Sequence, residues 1–215
     1  MPRKVDWDER RAELAEAVWR AMVRYGVEHT SIRNIAEESG WTRGVLQLYF
    51  RDKDDLLLFA FELAADRSLE ADLLTRGDAA GLEVLRRLLM ARVHPSEEQV
   101  RIALVMSSFI VLGRSRPGLG EAVHRRWSDW LSFTQQLFRD LAGQVAFRPG
   151  LRPDEAGVGF IGIVQGLAQL QLIDPARFEG AAAERFVDEY LRSIGAPAEL
   201  ERIGLEPPET TLIAP

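Results

Sequence analysis

The sequence predicts an all-α fold: an N-terminal three-helix head built around a helix-turn-helix, then a helical body, about nine helices in total. Three observations predict it. Apolar residues recur at three- and four-residue spacing along nearly the whole chain, the period of a helix with one buried face. Gly- and Pro-containing breaks at Thr75–Asp78, His94–Ser96, Gly113–Gly120, Phe147–Gly150 and Asp174–Pro175 divide that pattern into helix-length pieces. Ala36, Gly40 and Leu46 stand at offsets 0, 4 and 10, flanked by Ser/Thr caps. Two short helices crossing steeply need a small residue at contact, a glycine in the turn and an aliphatic lock at those positions.

Taking the chain in order, Asp6 or Asp8 caps a first helix whose stripe is Leu14, Val18, Ala21, Met22 and Tyr25, ended by Gly26. Residues 1 to 5 read as a loose start, with Arg3 and Lys4 as arms able to touch DNA. Thr30 or Ser31 caps the second helix, which buries Ile32, Ile35 and Ala36. Trp41 plugs the turn and Thr42 caps the third helix. Val45, Leu46 and Phe50 face inward there, so Thr42, Arg43, Gly44, Gln47 and Leu48 are left outside. A face of that kind is what a major-groove reader presents. Arg43 suits guanine O6 and N7, and Gln47 suits adenine. Gly44 allows close backbone approach, and the Thr42 and Tyr49 hydroxyls suit phosphate oxygens. Asp52 caps the fourth helix and puts Lys53 in its first turn, where the backbone N–H groups and the dipole favour a phosphate. Leu48 either meets a thymine methyl or is buried. Thr30, Arg33, Thr42, Arg43, Gly44, Gln47, Leu48, Tyr49 and Lys53 are therefore the expected DNA-binding set.

The fourth helix, about 53 to 74, is long enough to leave the head and enter the body. Further helices are expected at about 79–93, 97–113, 119–145, 153–173 and 179–194. The division reads as 1–52 head, 53–195 body and 196–215 loose tail. The stretch Val158 to Ile173 is apolar nearly all round and contains Gly159, Gly162 and Gly166 after Gly157. Each interior glycine costs roughly 1 kcal/mol against alanine, so close approach by another helix is expected to compensate. We read Gly159, Gly162, Ile163, Gly166, Leu170, Phe186 and Tyr190 as a four-helix dimer interface formed with a second copy. Two heads can then meet successive major-groove faces of a pseudo-palindromic DNA site.

The run Tyr49-Phe50-Arg51-Asp52-Lys53-Asp54-Asp55-Leu56 closely resembles the Tyr-Phe-x-x-Lys-x-x-Leu signature of the TetR family of bacterial regulators. The resemblance covers about positions 10 to 60, including Gly26, Thr30, Ile35-Ala36, Gly40 and Thr42-Arg43-Gly44. It implies phosphate-contacting roles for Thr42, Tyr49 and Lys53. Gln47 and Leu48 depart from the family's usual aromatic and histidine, so no operator sequence is carried over. A looser resemblance to the choline-responsive BetI-like branch rests on Gly166-Leu167 to Leu170 and on the tryptophan-bearing helix. The family implies a repressor released from its operator when a small molecule enters the body. Phe59, Met90, Met106, Phe109, Trp127, Trp130 and Phe160 are the expected pocket residues, with Trp127 and Trp130 able to face a cation or a planar compound.

The chain has 215 residues, no cysteine and a net charge of −6. Disulfides, zinc-thiolate sites and thiol nucleophiles are thereby excluded. Residues 1–55 carry 10 Lys/Arg against 11 Asp/Glu, so DNA affinity must come from locally placed cations rather than a basic head. His94 and His124 lack metal-ligand spacing. No metal, cofactor, secretory signal or membrane partner is expected, and a cytoplasmic location is. A helical enzyme is the competing class, but the chain has no glycine-rich phosphate loop, no HExxH and no acid–histidine set at usable spacing. A helical interaction module that has lost DNA binding is the other alternative.

Overall fold

A computed structural model describes residues 7–207, except residues 27, 28, 145 and 179 and the side chains of 7–9, 11 and 177. The expected arms Arg3 and Lys4, the caps Asp6 and Asp8, and the tail beyond 207 lie outside that description. Among the described residues ten α-helices follow one another: α1 (Trp7–Tyr25), α2 (Ile32–Ser39), α3 (Arg43–Tyr49), α4 (Lys53–Arg76), α5 (Leu82–Val93), α6 (Glu97–Gly113), α7 (Pro117–Gly143), α8 (Pro153–Ile173), α9 (Ala181–Ile194) and α10 (Pro197–Arg202). The described residues contain no strand, only an isolated antiparallel bridge between Phe147 and Gly195.

Packing divides the described residues into two compact units, those up to 70 with 97–127, and 71–96 with those from 128 on. The linear division at about 52 is thus not the one that contacts follow: α6 and the start of α7 pack with the head. In the first unit, α1 buries Leu14, Val18, Ala21 and Met22 as its stripe requires, and Ala15, Ala17 and Trp19 as well. A second face is needed because α1 packs on α2 and also on α6. The Trp19 indole N–H donates to the Ala60 carbonyl of α4 at 3.0 Å. Phe61 and Phe109 meet edge to face at 5.3 Å. Arg126 bridges Glu62 and Asp66, tying α7 to α4.

α6 and α7 touch backbone to backbone. A Cβ added at Gly120 would stand 2.6 Å from the Gly113 carbonyl oxygen. That neighbour cannot rotate away, so Gly120→Ala is expected to cost about 1–3 kcal/mol by overpacking. The urea midpoint should fall at unchanged slope. A midpoint equal to that of the native chain would reject this close packing.

The second unit has its own core of α5, α8 and α9, joined by the second half of α7. Gly157 lets α8 approach α7, since a Cβ there would lie 3.4 Å from the Gln135 Cα. α8 has the length and the mean hydropathy of a membrane span, 1.5, with a third of that window buried. Its inner face is Phe160, Ile161, Val164 and Leu167. Gln171 is buried too, its amide donating to the carbonyls of Val93 and Phe178 at 2.9 Å each. The tail expected to be loose from 196 is instead ordered through α10. Leu200 and Leu205 are buried beside α5, and Arg202 donates to the Ala80 carbonyl at 2.7 Å. Two leucines, five and ten residues beyond Gly195, find apolar cover that the Pro- and Glu-rich composition hides.

Candidate nucleic-acid interface

The helix-turn-helix is assembled by its caps. Ser31, not Thr30, is the N-cap of α2, its hydroxyl accepting from the Asn34 N–H at 3.2 Å. Gly40 closes α2 at φ 70°, the left-handed region open to glycine without cost. Thr42 then caps α3, accepting from the Val45 N–H at 3.4 Å. Asp52 accepts from the Asp55 N–H at 2.8 Å, while Asp55 reaches back to the Arg51 N–H at 3.1 Å, a variant of the capping box at the start of α4.

These caps set the faces of α3. Leu46 and Phe50 are buried and Val45 is half-buried. Thr42, Arg43, Gly44, Gln47 and Leu48 are exposed together. Leu48 is 71% exposed, which removes the alternative that it is a core residue. Among the described residues the Arg43 guanidinium has no ion pair. Arg33 is solvent-exposed and bound to Glu37 at 3.2 Å, and Arg51 lies 3.6 Å from Asp55. Tyr49 is half-buried with its ring 5.5 Å from Trp41.

Two expected DNA contacts are placed differently. Thr30 is buried at 1% exposure, with its hydroxyl donating to the Gly26 carbonyl at 2.9 Å, so its side chain serves the α1–α2 turn and not a phosphate. Lys53 is half-buried, and its ammonium donates to the Thr30 carbonyl. Burial lowers its pKa below the ordinary 10.5, Arg116 adds to that, and Asp54 opposes both. An ammonium has three donors, so it can hold Thr30 and still offer N–H to a phosphate.

The body residues scatter more than expected. A cleft in the second unit is bordered by α4, α5, α7 and α8. Of the seven expected pocket residues, Trp130 and Phe160 line it. Phe109 is core of the first unit, and Phe59 and Met106 pack against that core. Trp127 is 42% exposed and belongs to the first unit. Met90 packs on the second core without lining the cleft. Trp127 does not line the cleft, whereas Trp130 does. Phe133, Thr134 and the charged residues Asp72, Arg76 and Arg92 line the cleft and were not foreseen. Asp72 and Arg76 share one helix face at i, i+4 beside Leu69 and Leu73, a pattern that would have marked them. The space between the walls is about 20 Å³, room for one or two waters.

On α8, Gly159, Gly162 and Gly166 are exposed, and a Cβ at each would meet nothing within 4 Å. Val158 and Phe186 are exposed at 52% and 50%. Ile163 and Leu170 are half-buried. Tyr190 instead turns toward its own core: its ring lies 6.3 Å from Phe160, and burial of the hydroxyl, which has no partner among the described residues, pushes its pKa up. No cluster able to hold a metal occurs among the described residues.

A helix-turn-helix with an outward reading face, continued by a helical body, defines a DNA-binding transcriptional regulator. Residues 14–59 match the model of the TetR family of bacterial regulatory proteins, and residues 81–196 match that of the C-terminal region of BetI-type transcriptional repressors. The chain belongs to the TetR family, with a C-terminal region of BetI type. It is 29% identical to the HTH-type transcriptional regulator PksA of Bacillus subtilis over 90% of this chain and 94% of that protein. Against the regulator BetI of Burkholderia thailandensis the identity is 26%, over 92% and 99%. A TetR-family regulator from a Rhodococcus species shares the fold at TM-score 0.75 and 20% identity, over 86% of this chain and 98% of that one. A regulator from Saccharomonospora viridis, solved in complex with choline, does so at TM-score 0.75 and 19% identity, over 88% and 99%. These relatives are regulators, which places the chain outside the enzyme class.

Proposed function

We propose that this protein is a homodimeric repressor that reads a pseudo-palindromic operator through α3 and leaves it when a small molecule enters the cleft of the second unit. The observation that carries the reading is the joint exposure of Arg43, Gly44, Gln47 and Leu48 on α3. Thr42, Tyr49 and Lys53 act on phosphates, and Arg33 lies near enough in sequence to add to them. The contact-free glycines of α8 and the exposed Phe186 of α9 form the surface that a second copy covers. Functionally the chain divides at about residue 52, and α4 is the coupling rod, since Lys53 lies at its start and the cleft residues Asp72 and Arg76 near its end. The protein acts in the cytoplasm, where its DNA is.

The test is to select promoter fragments from the source genome with the purified protein and to measure binding by fluorescence anisotropy. Specific affinity should fall steeply with salt. Arg43→Ala is expected to lose about 1–3 kcal/mol, roughly 10- to 100-fold, and to relax preference at one base position. Tyr49→Ala with Lys53→Ala should weaken all sequences alike. Failure to retain any fragment would favour the module without DNA binding, a reading that the near-neutral head supports.

A further inference from the structure

We infer that the cleft of the second unit takes an organic anion with an apolar body, an aryl or alkyl carboxylate, and not a quaternary ammonium. The inference rests on the reading of this cleft as the effector site. Its walls are aromatic where Trp130, Phe133 and Phe160 line it, which by itself would suit a cation as well as any flat apolar group. The charges decide between them. Two arginines line the cleft against one aspartate. That aspartate is already used: Asp72 accepts from Arg92 at 2.6 Å, with the two side chains only 17% and 16% exposed. Arg76, half-buried on the next turn of α4, has neither a hydrogen-bond acceptor nor a carboxylate for its guanidinium among the described residues.

The consequence is an uncompensated positive charge beside an apolar wall. A cation entering here meets Arg76 at short range in a poorly screened setting, and the carboxylate that would offset it is held by Arg92. A ring face gives a cation less than that repulsion removes. A carboxylate gains what the cation loses, since the planar guanidinium fork binds it in two-point fashion. The entry side is apolar: Leu73 and Phe133 line the cleft and stay 49% and 39% exposed. A ligand with a hydrocarbon or aryl body therefore covers both while its charged end reaches Arg76. Because the walls now leave space for only one or two waters, the ligand must part them, and two of them are α4 and α7.

The test uses the full chain and calorimetry without DNA. The probes are 1-naphthoate, its neutral isostere 1-naphthamide, decanoate and choline chloride. At least one of the two carboxylates should bind, 1-naphthoate at least tenfold more tightly than the amide if it is the one that does, and choline should give no heat. Arg76→Gln should remove the preference for the anion, and Arg76→Lys should keep most of it. Asp72→Asn frees Arg92 and should tighten carboxylate binding several-fold, with circular dichroism confirming the fold. The inference is overturned if choline binds as tightly as the carboxylates, if naphthoate and naphthamide bind alike, if Arg76→Gln keeps the preference, or if no carboxylate binds. Retention of operator fragments is scored separately. Anion binding without DNA binding would overturn the regulator and leave the site. DNA binding without anion binding would do the reverse.

Discussion

Alanine at Gly159, Gly162 and Gly166 together is expected to yield a monomer more stable than the native protomer. The three positions lie at i, i+3 and i+7, one face of α8. Within the protomer a Cβ at each meets nothing. The only local effect is helix propensity, about 1 kcal/mol gained per glycine replaced and so roughly 3 for the set. If a second copy packs its helix into this notch, the same three methyls occupy the partner's space, where overpacking costs about 1–3 kcal/mol each. Dissociation should then rise by at least roughly 100-fold, since every 1.4 kcal/mol is a factor of ten. Sedimentation velocity reads the mass and urea denaturation the stability. Operator affinity should drop with dimerisation, because one head contacts one half-site. A variant that stays dimeric while its denaturation midpoint rises would show that the notch faces solvent, and the interface proposed for α8 and α9 would fall.

Trp19→Ala is expected to remove about 3–5 kcal/mol from the first unit, the usual cost of deleting a large buried ring. The ring is fully buried, and its N–H is bonded to α4. Two guanidinium groups lie over it, those of Arg67 at 5.0 Å and Arg101 at 5.8 Å. Arg67 is anchored to Glu16 of α1 at 2.8 Å and to Glu98 of α6 at 3.3 Å. Removing the indole therefore leaves a void and takes away the flat surface on which α1, α4 and α6 are cross-linked. For a chain of this length the thermal midpoint should drop by roughly 6–20 °C. Trp19→Phe, which keeps most of the ring, should recover the larger part. Circular dichroism with temperature gives the numbers, and amide exchange in α1 and α4 tells whether the loss lies in this unit. A loss below about 1 kcal/mol would mean that the ring is not a packing anchor.

Trp19 also marks where sequence reading reached its end. The stripe Leu14, Val18, Ala21, Met22 was legible because one helix face follows directly from the 3.6-residue period. That α1 has a second buried face was not, because the helices covering it come 40 to 90 residues later. The same holds in the body. Trp127 and Trp130 are three residues apart on α7, yet only Trp130 lines the cleft. Phe109 read as a pocket residue and is core against Phe61. Asp72 and Arg92 are 20 residues apart in sequence, and only the packing of α4 on α5 joins them. Leu200 and Leu205 sit in a stretch of polar composition that gave no sign of burial.

What the amino-acid order alone determined is everything set by atoms within about four residues of one another. That covers the helix borders, the caps at Thr42 and Asp52, the left-handed turn at Gly40, and the outward set Arg43, Gly44 and Gln47 on α3. Tertiary structure alone decided which helix faces meet: the burial of Trp19, the turn of Lys53 onto the Thr30 carbonyl, and the charged rim of the cleft. The reason is physical. A cap or a turn is closed by its neighbours' own hydrogen-bond geometry, whereas a cleft exists only after helices far apart in sequence have competed for the same apolar surface.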